Sequence, residues 1–319
     1  MRIESAREIK ARLWREAASW SAELRRADEP PPGVAIGVQV RGDGSYGVAV
    51  RHSGESDLAA AVAERGRELA GADYDVRDIG AIQTLQWRPE QLQQRVRPLR
   101  PGLSIAHRGV SAGSIGAFVV PPGRAEPVRV LSNNHVLADS DRGVTGDPIL
   151  QPGPADGGEV PGDRVGVLDQ VVPIQLGRSN LVDAATAVLD AGIEFDLPYP
   201  AGALCGVAEP ASGVMVEKVG RSTGVTRGQI SAIELDGLRV QFPSGVVTFD
   251  GQVEITGDGT RAFSAGGDSG SVVYDPIRLT GIGLLFAGSE RGGPNGSGLT
   301  YCNPFGTVLA ALGMRLLAG

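Results

Sequence analysis

Lysine is almost missing from this chain: only Lys10 and Lys218 occur, and the rest of the 30 basic residues are arginines. Acidic residues number 37, so the net charge is −7. With no basic run and an acidic balance, a nucleic-acid partner is not expected. Cysteine is scarce, at two residues, Cys205 and Cys302. That excludes a disulfide-dense scaffold and any multi-cysteine zinc site. Histidine is limited to His52, His107 and His135, none at metal-ligand spacing, so no metal and no cofactor is expected. Aromatics make up 5%. No apolar run approaches the roughly 18 residues of a membrane span, and the charged start Met1–Glu8 lacks the apolar core of a signal peptide. The cytoplasm is therefore the expected compartment, with the two cysteines as buried thiols.

What the chain has in excess is glycine, at 47 residues, and turns and small-residue strands should follow. The most informative run is Gly266-Gly267-Asp268-Ser269-Gly270-Ser271-Val272. A serine between glycines suits an exposed nucleophile on a tight turn, with backbone N–H groups free to meet a developing oxyanion. The same tetrapeptide also suits an ordinary surface turn. A second run, Leu131–Ala138, places His135 after a β-like segment and at the head of a short apolar run. Between the two lies Asn180–Leu189, where Asp183 opens an apolar strand. A carboxylate buried there needs a partner, and an imidazole N–H is a suitable one. Asp139 and Asp190 are the competing carboxylates. Asp139 shares the helical turn of His135 and should point elsewhere. Asp190 lies about 23 Å along the strand from Asp183.

In their order and spacing, Asn134-His135, the Asn180–Asp183 run with its apolar strand, and Gly267-Asp268-Ser269-Gly270 resemble a trypsin/chymotrypsin-like serine peptidase. Lys218–Gly228 is similar to the strand-and-turn that opens the second barrel in bacterial members, and Gly281–Gly288 to the strand beside the substrate pocket. The nearest group is the intracellular bacterial relatives of the plant NARROW LEAF 1 protein. The resemblance implies His135 as general base, Asp183 as its orienting carboxylate and Ser269 as nucleophile. The oxyanion hole would come from the N–H groups of Gly267 and Ser269. It places Phe263 at the pocket base and Gly281, Ile282 and Gly283 along the pocket wall, which would favour an apolar side chain before the cleaved bond. It also leaves Asp268 in need of a buried partner, with Lys218 or Arg221 as internal candidates and backbone plus water as the alternative. The expected activity is that of a serine endopeptidase acting on protein or peptide. A catalytically silent scaffold that binds protein partners and a serine esterase are the alternatives.

The expected architecture is mainly β: two six-stranded antiparallel barrels of trypsin-like type, a small N-terminal α/β module and a C-terminal helix. Residues 1–28 carry helical periodicity, and Pro30-Pro31-Pro32-Gly33 stops it. Two β-prone runs around Gly42-Asp43-Gly44 read as a hairpin, Ser56–Ala70 as a helix, and Asp75–Ile82 as a strand. From Ser104, short apolar runs alternate with turns at barrel spacing. The domains are therefore drawn at 1–100, 101–205 and 206–319. The module is read either as a site of regulation, homo-oligomer contact or substrate delivery, or as a packed extension.

Overall fold

The computed structural model describes residues 1–23, 34–54, 56–79, 87–293 and 296–319. The chain divides into two units, Met1–Leu85 and Gln86–Gly319. Among the described residues no helix is long and apolar enough to cross a membrane.

In the first unit, helix α1 (Ile3–Glu23) buries Leu13 and Ala17. Strands β1 (Val34–Val40) and β2 (Tyr46–His52) form the expected antiparallel hairpin. Helix α2 (Asp57–Ala70) starts where Ser56 Oγ accepts the Ala59 N–H at 3.1 Å, an N-cap that satisfies one of the helix's orphan donors. It ends at Gly71, whose φ of 55° few other residues tolerate. Strand β3 (Tyr74–Asp78) returns parallel to β2. Leu13, Val48, Val50, Leu58 and Val62 form the core, and Trp20 packs against it. Trp14 stays 54% exposed, so only one of the two tryptophans of α1 is used inside the unit. The expected continuation of β3 to Ile82 and of α1 to residue 28, and the proline stop after it, lie outside the described residues.

The second unit begins at Gln86. Leu92 and Leu99 are wholly buried in the core of the first barrel, and the Leu99 N–H donates to Glu194 O at 2.8 Å. The stretch Arg97-Pro98-Leu99-Arg100-Pro101-Gly102, whose prolines and glycine would suit a linker, is therefore part of the barrel's packing. Prolines mark both linkers and packed loops, so composition could not separate the two.

Six strands build this first barrel: β4 (Ser104–His107), β5 (Ala117–Val120), β6 (Arg129–Ser132), β7 (Pro148–Leu150), β8 (Arg164–Val171) and β9 (Ala185–Leu189). Their order is β5–β6–β9–β8–β7–β4, every neighbour antiparallel. Every residue of β4 and β5 is buried. The ladder stays open between them. There Ile115 ties the entering chains together, donating to Leu103 O at 2.8 Å and accepting from Gly102 N–H at 2.7 Å. Between β6 and β7 the chain forms one turn of helix, α3 (Asn134–Leu137).

The second barrel closes. Its strands are β10 (Met215–Gly220), β11 (Gly224–Leu235), β14 (Gln252–Gly257), β15 (Val272–Asp275), β16 (Thr280–Gly288) and β17 (Thr300–Pro304), and between β11 and β14 runs the hairpin of β12 (Leu238–Phe242) and β13 (Gly245–Phe249). The ring runs β16–β15–β10–β11–β14–β17 and returns to β16. Val216, Ile230, Val253, Ile255, Phe263 and Ile282 fill it. The hairpin stands outside the ring, where β13 pairs in parallel with Ser179–Asn180. Helix α4 (Phe305–Ala311), with Pro304 at its N-cap, follows β17, and Arg315–Leu316 after it pairs antiparallel with β5. The observed fold is thus the expected mainly β, two-barrel architecture, with a half-barrel followed by a closed one.

Candidate active site

His135 sits on α3, directly after β6. Its Nδ1 lies 2.5 Å from Asp183 Oδ2, and its main-chain N–H donates to Asp183 Oδ1 at 3.2 Å. Asp183 is wholly buried. A buried carboxylate accepts and cannot donate, so the proton of a neutral His135 ring belongs on Nδ1. Nε2 keeps its lone pair and has no hydrogen-bond partner among the described residues. The ring is a quarter exposed, and the edge of Phe242 meets it with centroids 6.0 Å apart. Beneath it, Asn134 exchanges hydrogen bonds with Asp141, 2.6 Å as donor and 3.1 Å as acceptor, which secures the helical turn.

Ser269 stands on the turn before β15. The main chain of this turn is bound from both sides: Ser114 N–H donates to Ser269 O, and Gly270 N–H to Leu285 O, each at 2.8 Å. Gly270 has φ of 92°, and a Cβ there would fall 2.0 Å from Ser132 Oγ, so no other residue fits. Gly113 is the matching small residue of the first barrel: its Cβ would fall 2.4 Å from Val136 Cγ2 and 3.0 Å from Ser269 O. These close approaches bring the Ser269 turn against the α3 region. Ser269 Oγ makes no hydrogen bond among the described residues, and none links it to His135. Such contacts commonly tighten only when substrate binds. The N–H groups of Gly267 and Ser269 are likewise without acceptors among the described residues, as donors aimed at a transient oxyanion would be.

Asp268 is wholly buried beside that serine. Its carboxylate accepts from Lys218 Nζ at 3.1 Å and Thr223 Oγ1 at 2.7 Å. It also accepts from the N–H groups of Ser222, Thr223 and Ala265 at 2.8, 3.1 and 2.9 Å. Burial pushes the Lys218 ammonium below the usual lysine range, and Asp268 opposes that push. Arg221, the other candidate partner, does not meet Asp268. Its guanidinium grips Asp156 through two bonds of 2.5 and 2.6 Å.

The four residues expected at the pocket are all buried. Phe263 is 2% exposed and packs with Val216, Ile230 and Val253 inside the closed barrel. Ile282 belongs to the same core. Gly281 is pressed against the Phe305 ring, and Gly283 against Cys302. The expectation rested on counting back from Ser269 and on the resemblance of one strand. The pleat turns Ile282 inward, and a closed barrel needs bulk at Phe263 to fill its interior. The competing carboxylates are accounted for: Asp139 pairs with Arg142 at 2.5 Å and Asp190 with Arg164 at 2.8 Å. His107 meets Asp147 at 3.2 Å, and His52 meets Gly54 O at 2.9 Å.

A depression of about 330 Å³ beside His135 went unforeseen. It is lined by Val110, Ser140, Phe242, Pro243 and Phe286 among others. Its far wall is the β12–β13 hairpin. The alternation Leu238-Arg239-Val240-Gln241-Phe242 before Pro243-Ser244-Gly245 is a hairpin signal. It does not disclose that the hairpin reaches His135.

No protein-family model matches the chain, and no curated protein matches its sequence. Among solved structures it is similar to Thermobifida fusca protease A, at 19% identity and TM-score 0.48, over 69% of this chain and 99% of that one. It is similar to a Cellulomonas bogoriensis chymotrypsin at 22% identity and TM-score 0.47, over 69% and 99%. With Nocardiopsis protease the values are 19%, 0.48, 68% and 98%. The likeness is one of fold: a mainly β, two-barrel chain similar to bacterial trypsin/chymotrypsin-like serine proteases.

Proposed function

We propose that this chain is a serine endopeptidase. Ser269 Oγ attacks the scissile carbonyl while His135 Nε2 takes its proton. The tetrahedral oxyanion lies on the N–H groups of Gly267 and Ser269. Collapse breaks the C–N bond, and the imidazolium returns the proton to the leaving amine. Water, deprotonated by the same ring, then releases the acid from the acyl-serine. Asp183 holds the ring in the required tautomer and opposes the charge that it gains.

The observation that carries this reading is the wholly buried Asp183 carboxylate on His135 Nδ1, which makes Nε2 the free base of the ring. The apolar part of the depression beside it, Phe242, Pro243 and Phe286, suits an apolar substrate side chain. A cytoplasmic setting belongs to the same proposal and is supported by Cys205 and Cys302 both being free thiols, although only Cys302 is buried as expected and Cys205 is exposed. The kinship with the NARROW LEAF 1-related group rests on the sequence motifs alone.

The test is labelling by a fluorophosphonate together with hydrolysis of casein. Both should occur with the native chain and fall by about 10⁶ in Ser269→Ala, with no change in melting temperature. Cleavage retained by that variant would reject Ser269 as nucleophile. Labelling without cleavage of any protein or peptide would leave an acyl hydrolase of another kind.

A further inference from the structure

The proposed triad draws on both barrels for its nucleophile and its base. The structure also shows the second barrel reaching into the first to hold Asp183. Asn303, at the end of β17, is wholly buried. Its Oδ1 accepts the main-chain N–H of Asp183 at 2.9 Å. That assignment fixes the amide's orientation, because only the oxygen can accept from an N–H. Its Nδ2 then donates to Gln252 Oε1 at 2.7 Å. Gln252, also wholly buried, on β14, spends its own Nε2 on Leu181 O at 3.0 Å and Asp250 O at 2.6 Å. From the opposite side, Asn133 Nδ2 donates to Asp183 O at 2.8 Å.

The peptide groups on both sides of the Asp183 Cα are therefore held by amide side chains. Its N–H is held from the second barrel and its C=O from the first. No charge is spent on either, which matters because a cation here would compete with His135 for the carboxylate. An amide pair gives direction without that competition. A misplacement of about 1 Å at a catalytic group can cost about 10²-fold in rate. Hydrogen-bonded amides in a dry core are stiff enough to prevent it.

We infer that Asn303, oriented by Gln252, is a positioning residue that sets the Asp183 carboxylate against His135 from the neighbouring barrel. This rests on the reading of Asp183 given above, and the experiment separates the two. The full chain is labelled with a fluorophosphonate-rhodamine probe at increasing concentration, giving a limiting rate kinact and a half-saturating concentration KI. A native chain that labels, with Ser269→Ala silent, establishes the reading. A native chain that does not label takes both down together.

Given labelling, Asn303→Leu should lower kinact by about 10²-fold and leave KI within about twofold. Asn303→Thr, whose hydroxyl can still accept the Asp183 N–H, should recover most of that loss. The far-downfield proton resonance of the His135 Nδ1–H should shift and broaden in Asn303→Leu and return in Asn303→Thr. A residue that merely supports the barrel would move the melting temperature and not this resonance. Gln252→Met, one step further away, should lower kinact by about tenfold, with KI unchanged; it decides the matter if Asn303→Leu does not fold. Native kinact in either folded variant, or a loss that Asn303→Thr does not relieve, overturns the inference.

Discussion

Asp183 and Asp268 are both wholly buried aspartates, and their surroundings are opposites. Asp268 receives an ammonium, a hydroxyl and three main-chain N–H groups. Everything around it is a donor, and the cation is within 3.1 Å. Asp183 receives one imidazole and that residue's own main-chain N–H. The one side chain on its carboxylate among the described residues is neutral until it takes a proton. Both carboxylates are desolvated, but only at Asp268 does a lysine ammonium face the carboxylate. On the proposed mechanism, the difference separates a group that fixes a turn from one that would stabilise a charge that comes and goes. Asp268 shapes the loop carrying Ser269 and the free N–H groups. Asp183 is positioned to answer His135.

This contrast can be broken from either side. The largest effect should come from Asp183→Asn. The amide cannot hold the Nδ1 tautomer, so the rate of labelling and hydrolysis should fall by about 10⁴, with the melting curve almost unmoved. If the variant instead lost stability and kept its rate, Asp183 would be the structural member of the pair.

Lys218→Met should do the reverse. Removing one partner strands the other, and unfolding experiments in urea should show a loss of about 3–5 kcal/mol. Adding Asp268→Asn to it should restore part of that loss, since the stranded charge is gone. An additive double variant would mean that the two groups do not interact. Arg221→Met should not reproduce the effect, because its partner is Asp156.

Smaller effects sharpen the comparison at exposed carboxylates. Asp190→Asn breaks a surface pair with Arg164 and should cost under about 1 kcal/mol, leaving the rate unchanged. Asp147 offers a pH test. The Val144 N–H, and then His107, hold its carboxyl below the usual range. A lowered folded-state pKa contributes stability that is present above the ordinary value of about 4 and lost as pH falls through the lower one. The difference in melting temperature between the native chain and Asp147→Asn should therefore shrink on acidification below about pH 4. A difference that grew on acidification would contradict the sign.

Much of the candidate site was legible because its parts are short and local. His135, Asp183 and Ser269 each sit beside turn-forming or strand-edge residues that announce them. Ser56 and Gly71 bound their helix by cap chemistry alone. The pocket residues were not legible. Phe263 was assigned by counting along the chain, and Gly281, Ile282 and Gly283 by the resemblance of one strand; neither reveals which face of a strand meets the interior. Arg97–Gly102 had the composition of a linker, yet it continues from Leu92 into the barrel core. Neither Asn303 nor Gln252 carries a local signal, since a lone amide in a strand resembles any polar surface residue.

The sequence by itself determined the architecture: mainly β, two barrels, an α/β unit ahead of them and a helix at the end. It also singled out Ser269, His135 and Asp183 as candidates for one site, and showed that Asp268 needs a partner. Those properties follow from periodicity, turn chemistry and the cost of burying charge, all of which act within a few residues. Only the tertiary structure decided that Lys218 and not Arg221 meets Asp268. The same holds for the β12–β13 hairpin at His135, the amides that grip Asp183 across the barrels, and the single barrel that closes. Most of these are contacts between segments dozens of residues or more apart. Such contacts depend on how the sheets coil and on the space left between them, which no local pattern encodes.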